Sequence, residues 1–228
     1  MSENKKTQTA DKSTAGSVGY IANITLRLLV ICAFVATLVA AVNALTKDTI
    51  ALNARKATAE ALTRIYETDG MVFSVEESGY SISDVNAQPF GVCEDITPQE
   101  PMADIDAVYA IRRADGSVFG YCVEASPMGF KDEVGLLVAV TPEGAAREVQ
   151  VLSLSETKGI GDKILQNDFL DPFKKKKGGF SDDPAAVSEL VIAGATRTSE
   201  PVTYAIDTAL KQVTFILEQT ETEGEAHE

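Results

Sequence analysis

This sequence has one histidine and no tryptophan. The 228-residue chain contains a single histidine, His227, which lies in the polar C-terminal segment TETEGEAHE. A Ser-His-Asp triad, a Cys-His pair or a zinc site of the HExxH type would therefore have no histidine inside the folded region. Redox or group-transfer chemistry must come from a cofactor, or from carboxylates, hydroxyls and thiols.

Cysteine is also scarce and has no metal-binding spacing. Cys32, Cys93 and Cys122 form no CxxC motif, which argues against a metal or iron–sulfur centre. Cys32 falls in an apolar segment, where we expect a small residue that faces lipid or a neighbouring helix. Cys93 and Cys122 either stay free or, in an extracytoplasmic domain, form one disulfide.

Basic residues are too few for a nucleic-acid-binding protein. The chain has 20 lysines and arginines against 34 aspartates and glutamates, for a net charge of −14. Because a nucleic-acid backbone needs a basic face, we expect no nucleic-acid partner. An acidic exterior is typical of a protein that stays soluble outside a membrane or faces cations, and charge alone does not choose between these.

One uncharged apolar run dominates the N-terminal part of the chain. Residues 28–45, LLVICAFVATLVAAVNAL, are eighteen positions without a charge, a length that suits a bilayer-spanning helix. We therefore predict one transmembrane helix over residues 21–46, in contact with the lipid bilayer, after an N-terminal tail over residues 1–20. A cleaved signal peptide is the alternative, with AVNAL as a weak cleavage site.

The charges on either side of the apolar run predict its orientation. Cytoplasmic flanks of membrane helices carry the excess of lysine and arginine. Here the basic residues before the run are Lys5, Lys6, Lys12 and Arg27, and those after it are Lys47, Arg55 and Lys56. The slight excess before the run predicts a cytoplasmic N-terminus in the cell (inner) membrane and a folded domain outside the cytoplasm.

The rest of the sequence predicts an α+β fold. Residues 47–66 are alanine-rich with helical spacing, which predicts a membrane-proximal helix. In the domain expected over residues 67–217, Asp115-Gly116 and Thr141-Pro142-Glu143-Gly144 each separate two strand-like runs. These turns predict two hairpins and a largely antiparallel sheet with flanking helices. The acidic residues 218–228 are predicted to be a disordered tail.

Residues 190–202, LVIAGATRTSEPV, combine a turn with the start of a helix. A hydrophobic run leads into the small residues Ala193-Gly194-Ala195. Ser199 is the predicted helix N-cap, and Pro201 suits the first turn. A glycine turn with hydroxyls before a helix suits a phosphate group, although an ordinary strand–turn–helix is the simpler interpretation. The helix is expected to pack through Val202, Ile206, Ala209, Val213 and Ile216.

Three motifs in a fixed order carry a resemblance to one family. They are VNALTKDTI (42–50) at the end of the apolar run, ETKGIGDKI (156–164), and AGATRTS (193–199) before a helix. In this order they resemble the G subunit of the Rnf ion-translocating electron-transport complex. That protein is related to the C subunit of the sodium-translocating NADH:quinone oxidoreductase. The resemblance covers the apolar run and most of residues 105–217.

The resemblance implies a site for covalently bound FMN. Proteins of this family carry FMN linked through its phosphate to the threonine that ends a Ser/Thr-Gly-Ala-Thr motif, and a flavin transferase installs it from FAD. Carried to this chain, the linked residue is Thr196, with no metal ligand and no catalytic side chain. The other cofactor-binding residues that the resemblance implies are Gly194, Ala195, Thr198, Glu156, Thr157, Gly159, Ile160, Gly161 and Gly129.

The resemblance also implies how these residues contact the flavin. Thr157 and the backbone N–H groups of Gly159 and Gly161 would make polar contacts, and Ile160 would cover the ring. The loop Met128-Gly129-Phe130 would border the flavin.

Four positions depart from the family pattern. Ala193 replaces serine or threonine, and Leu190 replaces aspartate, which would weaken recognition by the transferase. Lys158 replaces proline and would place a positive charge near the flavin. Leu154 occupies a position that is often histidine.

The implied function is electron transfer in a membrane complex. The chain would relay electrons through FMN as one subunit of an ion-translocating ferredoxin:NAD oxidoreductase, not catalytic alone, with the other membrane subunits of that complex as partners. Two alternatives stay open. One is an assembly or binding module that holds FMN noncovalently or not at all, and the other is a stand-alone anchored extracellular flavoprotein.

Overall fold

The structure is a computed structural model that describes the backbone of residues 4–76 and 79–225. Side chains are described for residues 20, 23–76, 79–166 and 168–220. The chain divides into two compact units, Met1–Asn53 and Ala54–Glu228. The first unit consists of helix alone where it is described, and the second contains the sheet.

Helix α1 spans Asn4–Ile65. Its portion Asn23–Ile65 is long and apolar enough to cross a membrane, judged by length and composition. Side chains of residues 23–53 are exposed, large apolar ones among them. The helix covers both the predicted span and the predicted membrane-proximal helix. It also includes residues 4–19 of the predicted N-terminal tail, and residues 1–3 lie outside the described residues.

Seven antiparallel strands form one sheet in which each strand pairs with its neighbours in sequence. The predicted hairpin turns at Asp115-Gly116 and at residues 141–144 are confirmed, and Gly116 and Gly144 both have positive φ. The α+β prediction is confirmed as well. The strands are β1 (Met71–Glu76), β2 (Gly79–Asp84), β3 (Pro89–Asp95), β4 (Ile105–Arg113), β5 (Val118–Ala125), β6 (Gly135–Val140) and β7 (Ala146–Ser153).

The sheet buries apolar side chains on both of its faces. Residues 136–140 of β6 are all fully buried, and they alternate between two hydrophobic clusters because successive strand residues point to opposite faces. One cluster contains Leu136, Val138 and Val140. The other contains Leu137 and Ala139 with the end of α1 and the residue after it.

Within the described residues, three α-helices follow the sheet. They are α2 (Asn167–Leu170), α3 (Pro184–Leu190) and α4 (Thr196–Glu225), with short 3-10 turns between them. The side chain of Asp183 caps α3 by accepting a hydrogen bond from the Ala185 N–H at 2.9 Å, and Pro184 lies in the first turn. α4 continues to Glu225, into the segment predicted as a tail, and residues 226–228 lie outside the described residues.

Helix α4 contacts the sheet through the predicted face. Val202, Ile206, Ala209 and Val213 are fully buried, and Ile216 is partly buried against the same cluster. This face therefore fixes the position of the turn that precedes the helix.

Two local predictions for residues 190–202 are wrong. Leu190 ends helix α3, so the hydrophobic run is not a strand. Ser199 is not the N-cap, because α4 begins three residues earlier at Thr196 and contains Pro201 in its interior. The Ser199 hydroxyl instead donates to the Ala195 carbonyl at 3.0 Å and accepts from the Ile192 N–H at 3.0 Å. A serine inside a helix can bond to the carbonyl four residues earlier in this way.

The cysteines, including Cys93 and Cys122, are free thiols in this structure. Both are buried, whereas Cys32 is exposed. Burial raises the pKa of Cys93 to about 12 and raises the pKa of Cys122 well above its usual value. Both thiols therefore stay protonated near neutral pH and are weak nucleophiles.

A buried carboxylate ties the segment before α3 to α4. Asp207, which is 1% exposed, accepts hydrogen bonds from the N–H groups of Gly179 (2.7 Å) and Phe180 (3.0 Å). It also accepts one from the Ser181 hydroxyl at 2.5 Å and pairs with Lys211 at 3.0 Å. Four donors therefore depend on one side chain.

We expect Asp207→Ala to lower the free energy of unfolding by about 3 kcal/mol, because it leaves buried donors without an acceptor. Asp207→Asn should cost less, since its carbonyl oxygen still accepts. The matched control is Asp182→Asn, which breaks an exposed ion pair with Lys211 and should cost at most about 1 kcal/mol. Urea unfolding of the full chain in detergent measures all three. Equal losses in Asp207→Ala and Asp182→Asn would contradict this assignment.

Candidate functional site

A cavity of about 330 Å³ lies at the start of α4. Three segments form its wall: the loop after β5, the segment after β7, and the turn that leads into α4. The lining residues are Phe130, Glu156, Thr157, Ile160, Gly194, Ala195, Thr196, Arg197 and Thr198. Seven of these were predicted as cofactor-binding residues, so the fold brings the two sequence motifs together.

The turn before α4 depends on a glycine conformation. Gly194 has φ +82°, and a Cβ added there would meet nothing within 4 Å. Glycine is therefore favoured here because its φ is positive, and not because a side chain would clash with a neighbour. The carbonyl of the next residue, Ala195, accepts hydrogen bonds from the N–H groups of Thr198 and Ser199, which closes the first turn of the helix.

Three threonines line the cavity but differ in exposure. Thr196 is exposed at the first position of α4. Thr198 is only 2% exposed. Thr157 is exposed on the opposite wall, where its carbonyl accepts from the N–H groups of Ile160 and Gly161. Of the three threonines, Thr196 is therefore the one that is both exposed and at the N-terminus of the helix.

Glu156 joins two walls of the cavity. Its Oε1 accepts hydrogen bonds from the backbone N–H groups of Phe130 at 2.6 Å and Lys131 at 3.1 Å. The loop after β5 is thereby held against the segment after β7. The predicted site residue Glu156 is in the cavity wall, and its visible role is to position the loop.

Gly129 and Gly161 lie behind Glu156, outside the cavity wall. A Cβ at Gly129 would approach Glu156 Oε1 to 2.3 Å and the Asp132 carbonyl oxygen to 2.9 Å. A Cβ at Gly161 would approach the Cβ of Glu156 to 2.6 Å. Only residues without a side chain fit at these two positions, so the glycines make room for the glutamate.

Gly159 also lies outside the cavity wall. It has φ +78° and donates its N–H to Asp162 Oδ1 at 2.7 Å, while the Gly161 N–H donates to the Thr157 carbonyl at 3.0 Å. The two N–H groups expected to contact a cofactor are therefore bonded within the segment. Their contribution here is the shape of the turn that carries Ile160.

Two apolar side chains form an exposed rim on the cavity. Phe130 is 58% exposed and Ile160 is 49% exposed. The guanidinium of Arg197 lies over the Phe130 ring, 5.3 Å from its centroid. Phe130 belongs to the loop that the family resemblance singled out, but Arg197 was missed although it lies within the AGATRTS motif. Its signal was a basic residue at a helix start, where acidic ones are favoured.

None of the four nonconsensus residues lines the cavity wall. Leu190 packs partly buried against the core at the end of α3, and Ala193 is exposed beside the turn. Neither is among the lining residues. Their departures from the family pattern therefore leave the composition of the wall unchanged.

The site lies within a recognised domain class. Residues 129–211 match the family model described as the FMN-binding domain. The matched region contains every residue of the cavity wall and the first half of α4. This part of the chain is therefore similar to the FMN-binding domain family.

The resemblance to the Rnf G subunit is confirmed by curated relatives. The chain is 33% identical over 110 residues to the G subunit of the proton-translocating ferredoxin:NAD(+) oxidoreductase complex of Clostridium ljungdahlii, covering 46% of this chain and 59% of that relative. It is 35% identical over 71 residues to the G subunit of the ion-translocating oxidoreductase complex of Haemophilus influenzae, covering 30% and 34%. The chain thus matches less than two thirds of the length of these relatives.

A solved structure is also similar. The chain aligns with the crystal structure of NqrC from Shewanella oneidensis with a TM-score of 0.39 and 22% identity, over 56% of this chain and 69% of that chain.

The fit between Glu156 and its glycines can be tested by a double-mutant cycle. Gly161→Ala should lower the free energy of unfolding by about 1–3 kcal/mol, because the new Cβ overlaps the stem of Glu156. In a Glu156→Gly background the same change should cost much less, since the Cβ, Cγ and Oε2 of residue 156 that the new Cβ would meet are all gone. Urea unfolding of the four proteins in detergent gives the coupling energy. Additive costs would show that the glycine is needed for another reason.

Proposed function

We propose that this chain carries FMN linked through its phosphate to Thr196 and relays electrons within a membrane-bound ion-translocating ferredoxin:NAD oxidoreductase complex. The observation that carries the proposal is the position of Thr196. Its exposed side chain lines a cavity with an apolar rim inside an FMN-binding domain. Thr196 is also the first residue of a 30-residue helix.

The residues present fit the phosphate and ring of a flavin. The first N–H groups of a helix lack intrahelical acceptors and favour a negative charge. Thr196 belongs to the first turn of α4. Phe130 and Ile160 offer exposed apolar surface beside the cavity. Its volume of about 330 Å³ is within the usual range for small-molecule sites.

Among the hydroxyls of the AGATRTS motif, Thr196 is the best acceptor for the linkage. Thr198 is nearly inaccessible and Ser199 is fully buried. The Ser199 hydroxyl is also engaged in two hydrogen bonds. An external transferase must reach the hydroxyl that it modifies, which favours the exposed residue.

The attachment is a phosphoryl transfer with no change of oxidation state. Thr196 Oγ1 forms a bond to the phosphorus of the FMN half of FAD, and the bond from that phosphorus to the bridging oxygen breaks. AMP leaves with the bridging oxygen, and the hydroxyl loses its proton. A flavin transferase is the partner that this maturation step requires.

After attachment, FMN supplies the electron-transfer chemistry, and the protein supplies position and environment. Glu156 holds the loop that carries Phe130, and Phe130 and Ile160 exclude water from the cavity rim. Gly194 gives the turn the conformation that presents Thr196. No side chain needs to act as a nucleophile or general base in turnover.

The partners follow from the relatives and from α1. The relatives are named as subunits of ion-translocating oxidoreductase complexes, which supports other membrane subunits as the partners of this chain. The apolar part of α1 would cross the lipid bilayer of the cell membrane, with a cytoplasmic N-terminus and the FMN-binding domain outside the cytoplasm. The excess of basic residues before the apolar run supports this orientation.

The attachment is tested by intact mass of the full chain expressed with and without a flavin transferase. We expect an FMN-sized adduct only with the transferase, complete loss of it in Thr196→Val, and in-gel ultraviolet fluorescence that survives denaturing electrophoresis. Thr157→Val and Thr198→Val are matched controls from the same cavity and should keep the adduct.

An unmodified chain beside a competent transferase would refute the covalent linkage. Flavin colour that is lost on denaturation would then favour a module that binds FMN noncovalently. An adduct on a chain that purifies without other subunits would favour a stand-alone anchored flavoprotein.

A further inference from the structure

Arg197 places a positive charge where a helix least favours one. It is the second residue of α4, and the first turn of this helix contains no acidic residue. The N-terminal end of a helix carries a partial positive charge, so a cation there is unfavourable unless an anion compensates it. A negative partner beside this arginine would therefore be stabilising.

The protein holds the guanidinium of Arg197 without using its N–H donors. The Arg197 Cζ lies 5.3 Å from the centroid of the Phe130 ring, and such a contact covers one flat face of the group. Within the described part of the chain, no acceptor or carboxylate bonds to this guanidinium. Its donors are consequently available at the cavity that it shares with Thr196.

Among the described lining residues, the one acidic side chain forms no ion pair with Arg197. Glu156 lines the same cavity as Arg197, but its Oε1 accepts two backbone N–H groups from the loop after β5. A ligand phosphate at this cavity would supply an anion that compensates the charge of Arg197.

We propose that Arg197 binds the phosphate of the FMN on Thr196, an inference that rests on the proposed function above. The planar guanidinium presents paired donors that match two phosphate oxygens, and such charge-assisted pairs are strong. Phe130 holds the group by its face and leaves its edge free for the phosphate. Arg197 is thus a positioning residue for the cofactor, set on the helix turn that also presents the linked threonine.

Chemical labelling of the full chain tests the contact. The chain is expressed with and without the flavin transferase, treated with phenylglyoxal, which modifies free guanidinium groups, and analysed by peptide mass mapping. We expect Arg197 to react about tenfold more slowly in the flavinylated chain, because a phosphate-bound guanidinium is rarely free. Arg113, an exposed arginine on β4, should react equally in both samples and is the internal control.

Equal reactivity of Arg197 in the two samples would overturn the inference and leave the proposed function standing. Absence of the FMN adduct in the intact mass, measured before labelling, would be a failure of the proposed function and would take the inference with it. The two failures are therefore distinguishable.

A spectroscopic measurement separates a direct contact from a general effect of charge. Phosphorus NMR of the flavinylated chain should show a phosphodiester resonance that moves in Arg197→Gln and moves less in Arg197→Lys. Lys131→Gln removes an exposed charge from the loop after β5, outside the cavity wall, and should leave the resonance in place. A resonance that does not move in Arg197→Gln, or that moves equally in Lys131→Gln, would contradict the contact.

Discussion

The fold of the domain depends on a sheet that must be covered on both faces. Along β6, residues 136–140 are all fully buried, so neither face of the central strands can be left to water. α4 covers one face, and the end of α1 with Tyr66 covers the other. The segment that leads out of the apolar helix is therefore part of the hydrophobic core and more than a tether.

The same packing explains why the site is where it is. The buried face of α4 fixes the helix against the sheet, and its first turn is thereby fixed as well. Glu156 then holds the loop after β5 beside that turn through two backbone N–H groups. The cavity thus lies between elements that other contacts already position, which is how a site can be preorganised for a ligand.

Particular elements show how far the sequence predicts this structure. Turns with glycine at a positive-φ position predicted both hairpins, and the 3.6-residue period predicted the buried face of α4. The start of α4 was mispredicted, because Ser199 has the composition of an N-cap but bonds back to Ala195. Gly129 and Gly161 were predicted as cofactor contacts, whereas the structure has them making room for Glu156. Arg197 was missed entirely.

The sequence by itself determined the features that depend on local chemistry: the apolar helix, the hairpins, the amphipathic helix and the motifs of the FMN-binding domain. Only the tertiary structure decided which face each cluster covers, which threonine stays accessible, and which residues form the cavity wall. The reason is physical. Periodicity and turn preference act between residues a few positions apart, whereas the contact of Glu156 with the loop 25 residues before it exists only once the sheet has formed.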